Sequence, residues 1–183
     1  QKLAGYDTLR LLLCKRAILV EGDSDELVVQ KAYRLKYGKL PIERGVEVIS
    51  VGTSFLRFLE IAEKLKKPVA VVTDNDGNVD ALKKKYESYL GAKAQEYIRI
   101  SFDEIIDERK EIAGESFNFN TLEPRMLAAN GCAAMKEMLG TAFDEEEKLL
   151  KHMRANKTDC ALKIFNFEKA FKFRAYVTDA IEE

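Results

Sequence analysis

Two stretches decide the reading: Ala17-Ile-Leu-Val-Glu-Gly-Asp-Ser-Asp-Glu26 and Val69-Ala-Val-Val-Thr-Asp-Asn-Asp-Gly77. Each begins as a short aliphatic, β-branched run and ends abruptly in carboxylates and a glycine, the pattern of a buried strand that stops at a polar edge. A third run, Val46 to Val51, ends at Gly52, and a weaker fourth is Tyr97-Ile-Arg-Ile100. Between the runs lie segments of helical period. Ser24 to Tyr37 sets Leu27, Val28, Lys31 and Leu35 at helical spacing before Gly38 and Pro41, and Ser54 to Leu65 sets Phe55, Phe58, Leu59, Ala62 and Leu65 on one face. Asp80 to Leu90 is a third, more polar helix. Alternation of this kind predicts stacked βαβ units, an α/β fold with a parallel sheet, and strand carboxyl ends that open on one edge where ligands bind.

Beyond about Asp103 the strand signal disappears, and the rest predicts helices separated by Gly114, Gly131 and Gly140. The expected organisation is therefore an α/β core over residues 1–105 and a helical appendage over 106–183. The chain has 183 residues, 46% of them hydrophobic, enough for one compact core. Thirty lysines and arginines nearly balance 31 aspartates and glutamates, whereas a tightly binding stand-alone DNA reader is usually more basic. Cys14, Cys132 and Cys160 form no CxxC pair, which argues against a disulfide framework or a zinc site and for reduced thiols in the cytoplasm. Lys15 and Arg16 interrupt the early apolar residues well short of the ~20 needed to span a bilayer, and no signal peptide is readable. A start at Gln1 that runs at once into Leu9 to Gly22 suggests a piece of a longer protein.

The carboxylates carry the chemistry. Glu21 closes the first strand, Asp25 begins the next helix, and Asp74 and Asp76 follow the third strand, so all four are expected at one crevice. In extended backbone Asp74 and Asp76 share a side while Asn75 points away. Two unit charges ~4 Å apart repel by about 4 kcal/mol at an effective dielectric of ~20, so a partly buried acidic set calls for a cation. Oxygen ligands without histidine or thiolate favour Mg²⁺ or Mn²⁺, which polarise phosphoryl oxygens and, as a pair, stabilise the entering and leaving oxygens of an in-line displacement. Plainer roles compete: Asp23 as helix N-cap with Glu26 at the capping-box position, Asp25 as a first-turn acid, and Asp74 to Asn78 as a turn. An EF-hand is excluded because Val79 stands where its glycine belongs.

Ile18 to Glu26 followed by Val71 to Gly77 resembles the Toprim signature, a glutamate and glycine after one strand and a DxD after a later one. Within that group the chain most resembles the C-terminal Toprim region of OLD-family (overcoming lysogenization defect) nucleases, with Gly45 to Phe55 and Pro68 adding to the likeness. The resemblance covers roughly residues 9 to 80 well and the remainder more loosely. It implies a Toprim-like sheet and a two-metal DNA endonuclease or nickase holding two Mg²⁺ or Mn²⁺ ions. It also implies an N-terminal ATPase domain in the parent protein and a possible helicase partner. By the same resemblance Thr121 and Glu123 complete the second metal site and Lys157 meets the scissile phosphate, with Glu21, Asp74, Glu123 and Lys157 as the catalytic set. Asp25 stands where some relatives have glutamate, and Thr121 where some have serine, without loss of an oxygen ligand.

From the residues alone, Glu123 also fits a helix cap before Pro124, and Lys157 fits solvated surface. Two rival functions remain open. A haloacid-dehalogenase-like phosphatase would use Asp74 as nucleophile and Asp76 as acid/base, but Asn78 replaces its usual threonine and Glu21 is left without a role. A non-catalytic interaction module would use the helical appendage for docking. Lys64, Lys66, Lys67 and Lys83 to Lys85 are candidates for steering a phosphate backbone, with solubilising charge as the plainer role. Phe165, Phe167, Phe171 and Phe173 look like base-stacking groups that core packing explains more cheaply. His152, the single histidine, leaves little for a histidine-based site.

Overall fold

The computed structural model describes residues 5–182, so Gln1 and the beginning of the expected core lie outside the described residues. In chain order the elements of the first half are α1 (Tyr6–Leu13), β1 (Arg16–Val20), α2 (Asp23–Tyr37), β2 (Val46–Ser50), α3 (Phe55–Leu65), β3 (Val69–Val72), α4 (Val79–Lys85) and β4 (Ile98–Ser101). A hairpin, β5 (Glu111–Ile112) and β6 (Glu115–Ser116), follows, then α5 (Leu122–Leu139), α6 (Glu146–Ala155), α7 (Lys157–Asn166) and α8 (Ala175–Ala180).

The four main strands form one parallel sheet in the order β2-β1-β3-β4. Ala17 pairs with Glu47 on one side and with Val69 on the other, which makes β1 a central strand. Its apolar run has no polar break because both faces are covered. Ile18 and Val20 pack into a core with α2, α5, α6, α7 and α8, while Ala17 and Leu19 pack into a second core with Leu11, Phe55, Phe58, Leu59 and Leu82. From β1 the chain moves outward to β2, then returns past β1 to β3. The strand order thus reverses between β1 and β3, and the crevice beyond their carboxyl ends is the ligand-binding position of such sheets.

The helices depart from the sequence reading in instructive places. On α2 the buried residues are Val28, Val29, Lys31, Ala32 and Tyr33, whereas Leu35 is exposed; Lys31 is tolerated because its ammonium donates to the Phe167 carbonyl. On α3 the four expected residues from Phe55 to Ala62 are buried, but Leu65, in the last turn, is exposed. The expected helix Asp80–Leu90 is shorter, giving way to a 3₁₀ turn at Glu87–Tyr89. The purely helical reading of the second half needs correction at Gly114. Ala113 and Gly114 adopt positive φ and turn the β5–β6 hairpin, whose two-residue strands carry no readable periodicity. Gly131 does separate helical segments: its φ of 81° and ψ of 163° break α5 into two. Phe167, Phe171 and Phe173 pack against the core, and the Arg34 guanidinium lies over the Phe165 ring, so the phenylalanine cluster is structural.

The C-terminal segment returns to the sheet. Arg16 Nη2 donates to the Ala180 carbonyl at 2.6 Å, Tyr37 Oη donates to that of Ile181 at 3.0 Å, and Arg99 binds the Asp179 carbonyl. These bonds from β1, α2 and β4 dock α8 against the sheet, beside the acidic crevice. Cys14 and Cys160 are buried and Cys132 partly so, all as free thiols. No helix among the described residues is long and apolar enough to cross a membrane.

Candidate metal centre

Glu21, Asp25 and Asp74 line one narrow crevice, with Val72, Leu122 and Tyr176. Glu21 follows β1 directly. Its carbonyl accepts Gly52 N–H at 2.9 Å and the Ser50 hydroxyl at 3.3 Å, so the backbone is fixed while the exposed side chain stays at the crevice mouth. Asp25 has a role one position away from expectation. The N-cap of α2 is Gly22 rather than Asp23, which makes Asp25, not Glu26, the residue that reaches back: its Oδ2 accepts Gly22 N–H at 2.8 Å. One carboxylate therefore caps the helix and faces the crevice. A Cβ at position 22 would stand 3.2 Å from that oxygen, close enough to disturb the cap.

The DxD segment does not continue the strand. β3 ends at Val72, and Asp76 takes a left-handed φ of 49°, a conformation aspartate tolerates better than most side chains. Asp74 Oδ2 accepts Leu122 N–H at 3.2 Å, while Asp76 Oδ1 accepts Asn118 Nδ2 at 2.9 Å. The expected extended pairing of Asp74 with Asp76 is thus replaced by a turn with a separate partner for each carboxylate. Asn75 does point away, into the interior. Its amide nitrogen donates to the carbonyls of Asp103 and Ile105, and its oxygen accepts Gly77 N–H at 2.9 Å.

The second half of the chain completes the arrangement. Thr121 is the N-cap of α5 without a side-chain capping bond; its hydroxyl lies 3.3 Å from Glu123 Oε2, so the capping role considered for Glu123 is not realised. Glu123 is buried, and its Oε1 pairs with Lys157 Nζ at 3.2 Å. Lys157 begins α7, which packs along α2 and so brings the ammonium toward Asp25. Burial pulls the Lys157 ammonium down, but Glu123, Asp25 and Asp74 outweigh it and hold its pKa above the ordinary lysine value.

Burial pushes the Asp25 carboxyl up to about 6; Glu123 and Glu21 add to this, while Gly22 N–H and Lys157 oppose it. Asp74 is raised well above the carboxylate range, first by burial and then by the charges of Asp25, Glu123 and Asp76. The acids therefore converge strongly enough to disturb one another. They do not form a ready-made cage, because among the described residues no three His, Cys, Asp or Glu side chains stand in ion-holding geometry. Instead, Asp25 and Asp74 each accept a backbone N–H, Asp76 accepts Asn118 and Glu123 pairs with Lys157. An oxygen-only donor set that carries mutual repulsion and a resident ammonium fits a hard divalent cation.

Sequence reasoning did not identify the polar strap behind these residues. Asp103 Oδ2 accepts Arg125 Nη1 at 2.6 Å and Arg174 Nε at 2.8 Å, and Asn120 bonds both backbone groups of Asp107. With Asn75, this network ties the DxD turn to the start of α5, and so the first acidic pair to Glu123. Replacing Asn75 with alanine leaves the Asp103 carbonyl and Gly77 N–H without partners, while the Ile105 carbonyl keeps Arg125 Nη2 at 2.8 Å, and is expected to cost about 2 kcal/mol in urea unfolding. The lysine clusters have local occupations: Lys83 pairs with Glu104, Lys85 lies over the Phe55 and Tyr86 rings, and Lys67 binds the carbonyls of Leu12 and Cys14.

A parallel sheet with a glutamate after its central strand and a DxD turn after the adjacent one defines the Toprim class. Residues 12–76 match the family model for the overcoming lysogenization defect protein-like Toprim domain, a span that contains Glu21, Asp25, Asp74 and Asp76 but not Thr121, Glu123 or Lys157. The fold extends over nearly the whole chain. The C-terminal region of the Burkholderia pseudomallei OLD protein superposes with a TM-score of 0.65 at 20% identity, over 92% of this chain and 95% of that one. The corresponding region from Xanthomonas campestris pv. campestris gives 0.62 at 20% identity, over 94% and 92%. The sequence has no match among curated proteins. Residues 12–76 are therefore similar to the OLD-like Toprim domain, and the whole fold to the C-terminal regions of OLD proteins, as the resemblance implied. Glu21 shares the crevice with Asp74, a placement the dehalogenase reading leaves unused.

Proposed function

We propose that this chain is a divalent-cation-dependent DNA endonuclease that nicks or cuts by phosphodiester hydrolysis, and that residues 106–183 complete a site begun by residues 1–105. The observation that carries this reading is the convergence of Glu21, Asp25 and Asp74, which come from different elements, at one crevice, where burial and neighbouring carboxylates raise Asp25 and Asp74. Glu21, Asp25, Asp74 and Asp76 would hold one Mg²⁺ or Mn²⁺ ion, and Thr121 with Glu123 would contribute to a second. A bound divalent cation supplies Lewis-acid polarisation of phosphoryl oxygens. The chain's own contribution is orientation and charge. Gly22 N–H and Leu122 N–H fix one oxygen each of Asp25 and Asp74, and the Lys157 ammonium offsets negative charge that builds on the phosphoryl group.

DNA is the expected substrate, and an N-terminal ATPase domain of a larger parent protein is the expected partner, with a helicase as a further candidate. The primary test is plasmid nicking in Mg²⁺ or Mn²⁺. Glu21→Ala should slow nicking at least tenfold while the exposed position leaves the melting temperature nearly unchanged; full activity in this variant would refute the assignment. Lys157→Met should slow nicking about a hundredfold, the low end for losing a single charge-stabilising donor.

A further inference from the structure

Tyr176, on α8, lines the acidic crevice together with Glu21, Asp25 and Asp74. The residue is 5% exposed, and its buried hydroxyl has no hydrogen-bond partner in the structure. A buried hydroxyl without a partner costs about 1–3 kcal/mol, and phenylalanine would fill the same space without that cost. Packing therefore accounts for the ring but not for the oxygen. The nearby charges include two of the crevice carboxylates. After burial, Asp74 contributes most to keeping the phenol protonated, Arg125 opposes it, and Asp25 and Asp103 add to the effect, so the group remains a donor over the working pH range. Asp25 and Asp74 each commit Oδ2 to a backbone N–H. A carboxylate that shares its charge with a cation is held rigidly only when its other lone pairs find donors, and such outer partners typically contribute 10–100-fold to metal affinity.

We propose that Tyr176 is a positioning residue of the cation site, whose hydroxyl, unpartnered in this structure, donates to the Asp74 carboxylate when a divalent ion is bound and holds it in place. The inference rests on the cation-binding reading above and names a residue that this reading did not use. The conservative replacement Tyr176→Phe keeps the ring and its packing. Calorimetric titration of the whole chain with Mn²⁺ should show about tenfold weaker binding in this variant. Urea unfolding without metal should show equal or greater stability, because the unpartnered oxygen is gone. A merely structural tyrosine would give the wild-type Mn²⁺ affinity, and that result would overturn the proposal while leaving the cation site standing. If wild-type protein takes up no Mn²⁺, both the site and the role of Tyr176 fall.

Discussion

Asp74→Asn is expected to abolish Mg²⁺- or Mn²⁺-supported plasmid nicking, with a loss of at least about a hundredfold, and at the same time to make the metal-free protein more stable. The two effects have one cause. Asp74 lies where burial, Asp25, Glu123 and Asp76 all disfavour its negative charge. Asparagine retains an oxygen that can accept Leu122 N–H but carries no charge, so the variant loses the anionic ligand and also the repulsion. The relief should appear as a higher urea midpoint for the variant at neutral pH in the presence of a chelator. An Asp74→Asn protein that nicks at the wild-type rate would remove Asp74 from the site. One that nicks slowly but is markedly destabilised would mark it as a structural anchor instead.

The second large effect is a stability profile that runs against the usual acid sensitivity of proteins. Asp25 is raised from 3.8 to about 6 in the folded chain. Between those values the folded state keeps a proton that the unfolded state has released, so raising the pH favours unfolding. The contribution is fully present below 3.8 and is lost as the pH climbs through about 6, a change of about 3 kcal/mol. Asp74 acts in the same direction. Elsewhere Asp107, held low by Arg109, acts in the opposite direction and lower on the pH scale. The clean measurement is therefore the difference in unfolding free energy between wild type and Asp25→Asn without metal. Wild type should lose ground relative to the variant as pH rises from about 4 to about 7. Adding Mg²⁺ should restore wild type at neutral pH, as an ion held only by the folded state would stabilise it. A flat difference would mean that neither burial nor the neighbouring carboxylates raise Asp25.

How far these expectations were legible in the sequence depends on how local each signal was. Glu21 and Asp74 end aliphatic runs, and the strand ends that place them are written in consecutive residues, so both were readable along with the parallel sheet. The role of Asp25 shifted because helix caps are decided by one residue: Gly22 takes the N-cap, and the reaching-back position moves from Glu26 to Asp25. Asp76 escaped the extended-strand argument because β3 stops at Val72 and the backbone turns left-handed before the second acid. Thr121, Glu123 and Lys157 were available only through family likeness, since their meeting depends on how α7 packs on α2 and α5 on α7. Tyr176 gave no signal at all. One tyrosine in a short helical stretch looks like any other until the fold sets its oxygen beside two carboxylates.

The placement of β1 and β3 as neighbours has a further consequence. Glu21 and Asp74 lie far apart along the polymer, and the Ala17–Val69 and Leu19–Val71 pairings that draw them together also build the middle of the apolar interior. The chain therefore cannot assemble its interior without also bringing the Glu21 and Asp74 carboxylates to one crevice. Any partly folded form that leaves this ladder open keeps the Asp74 carboxylate in water, while the complete molecule buries it among other acids.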